Sequence, residues 1–251
     1  MKLFFIPHMG LGDTVVLAGL VRYIAARPDV EEIVYPVKKQ YVTATEFLFD
    51  GIKNIELMEV KDDACISPRF GGTGDVIKDF ENRGYDIVPW GLHVMSPRDW
   101  SSLHPDFSHC FYVQAGVEHA VSYTHFHPRR DLERERSLYD RVVAKLGPEY
   151  VFLHEDRARG FVIDRHLLPE GVPVFDAHDL EIHADNIVEY CTVMERAKEL
   201  HFIDSCFALL ADRLPGVACP TTCHAYAREG GVHESLYAKD VNCIHKKHKK
   251  Q

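Results

Sequence analysis

Three short stretches hold residues whose types and spacing can do chemistry. The first is Pro7-His8-Met9-Gly10-Leu11-Gly12-Asp13, a loop with two glycines, a histidine and a carboxylate. A glycine-rich turn that opens a helix ordinarily seats phosphate, because its backbone N–H groups and the positive end of the helix dipole favour an anion. Asp13 already places negative charge there and would repel a phosphate. A dinucleotide turn would also want a third glycine at position 15, where Val15 stands, and Glu31 and Glu32 precede the run Ile33 to Val37 instead of closing it. The loop therefore reads as something other than a nicotinamide site, and the plainest role for Asp13 is to cap a helix.

The second stretch is His154-Glu155-Asp156-Arg157-Ala158-Arg159-Gly160-Phe161. Two arginines one residue apart can clamp a diphosphate with forked, charge-assisted hydrogen bonds. Glu155 and Asp156 can equally neutralise them in a surface charge cluster. The third is Ile203-Asp204-Ser205-Cys206-Phe207, where an apolar run gives way to a helical one. Ser205 would sit among the unpaired N–H groups of a helix start, an anion seat if Asp204 or Ser205 is not simply the cap.

Each stretch needs a strand before it and a helix after it, and the hydrophobic pattern supplies them. Leu3 to Ile6 reads as a strand broken at Pro7, followed by a helix from Thr14 to about Ala26. Strands at Glu32–Val37, Asn54–Val60 and Tyr85–Val88 alternate with helices at Lys39–Phe49 and Asp75–Asn82, an order that implies a parallel sheet with right-handed crossovers. Between Gly91 and His127 the pattern weakens and aromatic residues accumulate, among them Trp90 at its edge, Trp100, Phe107, Phe111, Tyr112, Tyr123 and Phe126. They read as a small local core or as a sugar-stacking surface. Gly71-Gly72-Thr73-Gly74-Asp75 lacks the Gly-Lys-Ser/Thr of a phosphate loop and reads as a flexible loop, with a substrate-covering loop as the alternative.

A charged helix, Arg129 to Leu146, ends at Gly147-Pro148, which marks the domain boundary: residues 1–147 on one side, 148–251 on the other. Beyond it strands are expected at Tyr150–Leu153, Val172–Phe175, Glu199–Ile203 and Val217–Pro220, with helices at Asn186–Ala197 and Ser205–Leu214. The tail from His245 is basic and reads as a solvated end. The fold class is α/β: two compact Rossmann-like domains with parallel sheets.

Composition narrows the function. The chain has 251 residues, a formal charge of −9, 46% hydrophobic and 27% charged residues, which suits a soluble globular protein and argues against a general nucleic-acid binder. No apolar run approaches the roughly 20 residues of a membrane helix, and the N-terminus lacks the plan of a signal peptide. Seven cysteines, an odd number without dense spacing, fit reduced thiols and a cytoplasmic location. Cys219-x-x-x-Cys223-His224 and His125-x-His127 are the best metal candidates, and neither has a four-ligand set. No metal is expected. A serine-hydrolase elbow, Gly-x-Ser-x-Gly, does not occur.

At this point the residues resemble a family. Gly10-Leu-Gly12-Asp13, with Leu20, Arg22 and Tyr23 in the helix that follows, is similar to the amino-terminal signature of GT-B glycosyltransferases of the heptosyltransferase type. Glu195-Arg-Ala-Lys-Glu-Leu-His-Phe-Ile-Asp204-Ser205 resembles their late motif, although Cys206-Phe207 stand where glycine would follow and the next histidine is His224. The arginine loop is similar to the donor-diphosphate arginines of fucosyltransferase-like members. Residues 61–145 carry almost none of the likeness.

The resemblance implies a glycosyltransferase with its active site in an inter-domain cleft, the acceptor on the first domain and the sugar nucleotide on the second. Asp13 would act as general base on the acceptor hydroxyl, with His8 orienting acceptor or diphosphate. His154, Arg157, Arg159, Asp204, Ser205 and Cys206, with Gly12 of the first loop, would serve the nucleotide-diphosphate sugar. No cofactor is needed, and one-base displacement gives inversion. The partners would be the donor and a glycan or glycoconjugate acceptor. The alternatives are a Rossmann-type nucleotide-sugar or NAD-dependent oxidoreductase or epimerase, and a non-catalytic sugar- or nucleotide-binding relative.

Overall fold

A computed structural model describes residues 1–66, 74–91, 106–228 and 237–245. The chain divides into two compact units, Met1–Arg129 and Arg130–Gln251. The division falls ahead of the charged helix Leu132–Leu146, not at the Gly147-Pro148 stop that ends it. That helix buries Glu135, Leu138 and Val142 and packs on helix Cys191–Arg196, so it is part of the second unit's core.

The first unit is built on four parallel strands, β1 (Lys2–Phe5), β2 (Glu32–Lys38), β3 (Ile55–Val60) and β4 (Asp86–Val88), in the order β3-β2-β1-β4. Leu3, Phe4 and Phe5 are buried in succession because a central parallel strand is covered on both faces. Helices α1 (Leu11–Ala25), α2 (Val42–Leu48) and α3 (Asp75–Asn82) supply the cover. The chain works outward from β1 to β3 and then returns to the far side of β1 as β4. Ligands of such sheets sit at that reversal, beyond the carboxyl ends of β1 and β4.

Helix α1 is buried almost all round, from Thr14 to Val21 and again at Ile24. Its third side is closed by α4 (Phe107–Gln114) and α5 (Val121–Thr124). A Cβ on Gly19 would lie 2.5 Å from the Val121 carbonyl oxygen, so only glycine permits this approach. The Tyr112 hydroxyl donates to the Val16 carbonyl at 2.8 Å and accepts from the Leu20 amide at 3.0 Å. Phe111, Tyr112 and Phe126 are buried, so these aromatics form a local core against α1. Trp100 and the glycine-rich run at 71–73 lie outside the described residues, as does the tail beyond His245.

The second unit holds five parallel strands, β5 (Val151–His154), β6 (Val174–Asp176), β7 (Glu199–Phe202), β8 (Thr221–Cys223) and β9 (Val241–Cys243), in the order β6-β5-β7-β8-β9. Helices α6 (Leu132–Leu146), α7 (Cys191–Arg196) and α8 (Cys206–Arg213) accompany it. On one face Phe152 gathers Phe175, Tyr190, Phe202 and Phe207. On another, Leu153, Ile163 and Ile203 form a cluster with Phe161 and Leu168 against it.

Two sequence expectations are corrected here. The strand expected at Val217–Pro220 is instead Thr221–Cys223, and Val217 is a buried turn residue whose amide bonds the Leu214 carbonyl at the end of α8. Strand β9 was not foreseen, because Asn242 interrupts its short apolar pattern. The helix expected at Asn186–Ala197 begins as a 3-10 turn, Ile187–Tyr190, capped by the Asn186 side chain, and becomes α-helical only at Cys191.

Candidate functional site

In the first unit the loop after β1 emerges at the sheet's reversal point. The Ile6 amide bonds the Val88 carbonyl at 2.9 Å, and the His8 amide bonds the Gly91 carbonyl at 2.8 Å, which fastens the loop to the end of β4. Helix α1 starts at Leu11, earlier than the sequence suggests, with Gly10 as an N-cap that makes no side-chain bond. Asp13 therefore lies in the first turn and does not cap the helix. Its Oδ2 is 2.9 Å from His8 Nδ1, with the side chains 13% and 36% exposed respectively.

This pair is shaped by its surroundings. The Asp13 hydrogen bond lifts the His8 imidazole above its ordinary pKa, against the effect of burial, with the charges of Asp13 and Asp63 adding and Lys38 opposing. Space is tight: a Cβ on Gly10 would fall on the Asp13 carboxylate and within 3.7 Å of His8 Nδ1. Gly12 lies within the first turn of α1.

In the second unit the sheet reverses between β5 and β7, where His154 and Phe202 stand in register. Both remaining candidate loops leave the sheet at this point, one from His154 and one from Ile203, which is the position at which doubly wound sheets hold nucleotides. The first loop is closed by a reciprocal pair of 2.8 Å backbone bonds between Asp156 and Phe161 around the 3-10 turn Arg157–Arg159. Its anchor is Glu155. That buried carboxylate accepts from Arg157 Nε at 2.6 Å, Arg165 Nη2 at 2.7 Å and the Ile163 amide at 2.9 Å. Burial alone would raise the Glu155 carboxyl, but these donors outweigh it and hold it below the usual range.

Arg157 and Arg159 are thus both tied to carboxylates. Arg157 Nη2 also bonds Asp176 at 2.9 Å, and Arg159 Nε bonds Asp156 at 2.6 Å. They remain 64% and 61% exposed, respectively. His154 is buried against Phe207 and His178, and burial, with His178 adding, pushes its imidazole down to about 3. It is a neutral packing group at neutral pH, and its buried Nδ1 has no hydrogen-bond partner among the described residues.

The second loop leads into α8. Ser205 is its N-cap in extended conformation, yet the hydroxyl makes no capping bond and is buried without a partner among the described residues. Asp204 precedes it, and its carbonyl receives Arg228 Nη1 at 2.9 Å. Burial pushes the Cys206 thiol up to about 11, so it carries no thiolate at neutral pH. Arg228, like Arg165 at Glu155, is a cation that the sequence pattern does not mark. It comes from beyond β8 and gives no local signal.

Also unforeseen is a polar chain on β7 and just past β8: Glu199 to His201 Nε2 at 3.2 Å, and His201 Nδ1 to His224 Nε2 at 2.9 Å. Among the described residues no three His, Cys, Asp or Glu side chains gather as a metal site, and no helix is long and apolar enough to cross a membrane. Among the described residues no cysteine is joined in a disulfide.

Two parallel α/β sheets in one chain, each with a glycine- or serine-bearing loop at its reversal point, define a two-domain architecture consistent with a GT-B-like fold. Among solved structures, the chain is similar to the crystal structure of a glycosyl transferase family 9 from Veillonella parvula DSM 2008, with a TM-score of 0.52 and 12% identity over 97% of this chain and 86% of that one. It is also similar to the E. coli heptosyltransferase WaaC with ADP, with a TM-score of 0.45 and 12% identity over 90% and 87% of the two chains. No protein-family model and no curated protein matches the sequence. At these identities the likeness concerns the fold.

Proposed function

We propose that the chain is a glycosyltransferase that moves a sugar from a nucleotide-diphosphate sugar to a hydroxyl of a glycan or glycoconjugate acceptor. The observation that carries this reading is the division of labour between the two reversal points. One presents a carboxylate paired with a histidine and, among the described residues, no arginine or lysine from its own loop. The other presents arginines, a helix start and a serine hydroxyl with no partner among the described residues.

The acceptor oxygen attacks the anomeric carbon, its proton passes to Asp13, and the bond from that carbon to the diphosphate breaks with its electrons going to the leaving group. Proton transfer comes late, when the bonding oxygen has become acidic, so a carboxylate is a sufficient base. His8 orients Asp13 through the 2.9 Å contact. Negative charge grows on the leaving diphosphate, and in this reading Arg157, Arg159 and the Ser205 helix entrance stabilise it. A single displacement inverts the anomeric centre.

Thermal melting with a panel of UDP-, GDP-, ADP- and dTDP-sugars tests the reading. One donor is expected to stabilise the protein by about 2.7 kcal/mol at a hundred times its Kd, and nicotinamide cofactors by nothing. Stabilisation by NAD alone, with no sugar nucleotide active, would replace it with an oxidoreductase.

A further inference from the structure

The loop that carries His8 is gripped from a direction the reaction scheme does not use. Met9 is buried in the cluster formed by Phe4, Ile6, Val34, Val60, Ile66, Phe80 and Tyr85. Its amide lies outside helix and strand and donates to Asp63 Oδ1 at 3.1 Å. The other oxygen of Asp63 meets Lys38 Nζ at 2.5 Å. Asp63 opens the 3-10 turn Asp63–Cys65, and Ile66 just after it sits in the same cluster as Met9. Lys38 closes β2 in register with Val60, which closes β3. One carboxylate thereby joins the carboxyl ends of β1, β2 and β3.

An exposed ion pair would be worth little, about 0–1 kcal/mol. This one differs in two respects. Both side chains are largely covered, at 20% and 21% exposure for Lys38 and Asp63, respectively, and the carboxylate satisfies a loop amide that would otherwise be buried beside an apolar side chain. Asp63 is also ionised at neutral pH: burial would raise it, but Lys38 and the Met9 amide hold it below the usual range.

We infer that Asp63, held by Lys38, is a positioning residue that fixes the His8–Asp13 pair, through the Met9 hydrogen bond and through its charge. The inference rests on the reading of Asp13 as the base. Among the described residues the charged groups facing His8 are Asp13 from α1, Asp63 from the turn after β3 and Lys38 from the end of β2. Removing the Asp63 charge takes away one of the two carboxylates that favour the imidazolium and leaves Asp13 alone to oppose Lys38, so His8 should lose its proton at lower pH.

Two substitutions separate the contributions. Asp63→Asn keeps an oxygen for the Met9 amide and removes the charge, and Asp63→Ala removes both. Asp63→Ala is expected to lower kcat about ten- to a hundredfold, as for a misplaced catalytic group, with the donor KM changed less than twofold. Asp63→Asn is expected to recover most of that loss at its own optimum while its pH–rate limb moves to lower pH. The His8 ring titration, followed by NMR and assigned by its loss in His8→Gln, should move down in both variants. Wild-type kcat together with an unmoved His8 titration in Asp63→Ala would overturn the inference. A parallel rise in donor KM in both variants, without the pH shift, would also overturn it by showing a merely structural role. If no donor supports transfer, the glycosyltransferase reading fails, while the His8 titration still decides whether Asp63 acts on the pair.

Discussion

His8 Nδ1 lies 2.9 Å from Asp13 Oδ2, across the turn between a buried strand and a buried helix. The pair couples the charge state of a histidine to the basicity of a carboxylate. While His8 is protonated, the imidazolium holds electron density on the Asp13 oxygen it binds, and Asp13 is a poorer base.

The pH dependence follows in sign. The folded-state pKa of His8 is raised, first by the Asp13 hydrogen bond. The pair's contribution to stability is complete below about 6.5, the ordinary histidine value, and is lost as pH rises through the raised value. Activity should move the other way. kcat/KM is expected to climb along a limb whose apparent pKa exceeds about 6.5, and His8→Gln should remove that limb while leaving measurable turnover. Pre-steady-state rates across pH 5–9 in both proteins check this.

Gly10→Ala probes space, not backbone freedom, since Gly10 has φ −79° and any residue adopts that conformation. The added methyl would displace the Asp13 carboxylate. Transfer should fall about a hundredfold, and the melting temperature should drop by the modest worth of the lost His8–Asp13 contact. A variant with wild-type kcat would show that the observed Asp13 position is not the working one.

Ser205→Ala should leave the ligand-free protein as stable as before or slightly more so, because it removes a buried hydroxyl that has no partner among the described residues. If that hydroxyl binds the donor, affinity should drop about five- to tenfold, the worth of one hydrogen bond of about 1–1.5 kcal/mol. Calorimetric titration with the stabilising sugar nucleotide measures it. Loss of stability with unchanged affinity would assign Ser205 to the fold alone.

Glu155→Gln should destabilise the protein by about 1–3 kcal/mol at neutral pH, since Arg157, Arg165 and the Ile163 amide lose a buried acceptor charge. The Glu155 pKa is depressed in the folded state. Its stabilisation is therefore complete above the unfolded value and is lost as pH falls through the folded one. Denaturation of the two proteins at pH 7 and in acid should show the difference narrowing.

Much of this arrangement was legible in the sequence. Leu3 to Ile6 ends at Pro7, so the strand and the loop after it could be placed, and Ile203-Asp204-Ser205 marks a strand-to-helix junction by hydropathy alone. The start of α1 was misread because Leu11-Gly12-Asp13 follows a glycine cap that contributes no side-chain oxygen. The partners of the arginines were only half visible. Glu155 and Asp156 are neighbours in sequence, but Asp176 reaches Arg157 only because β6 pairs with β5. Asp63 and Arg228 gave no signal, since their contacts come from distant segments that the sheet order brings together.

In the proposed reaction Asp13 takes the proton from the acceptor hydroxyl. The most direct measurement of this step is single-turnover release of nucleoside diphosphate by Asp13→Asn, using the sugar nucleotide that raises the melting temperature and an acceptor on which the wild-type chain works. The expected result is a rate lowered about 10²- to 10⁴-fold, the usual contribution of a positioned base, with the donor-induced thermal shift unchanged. Turnover by Asp13→Asn at the wild-type rate would remove Asp13 as the base.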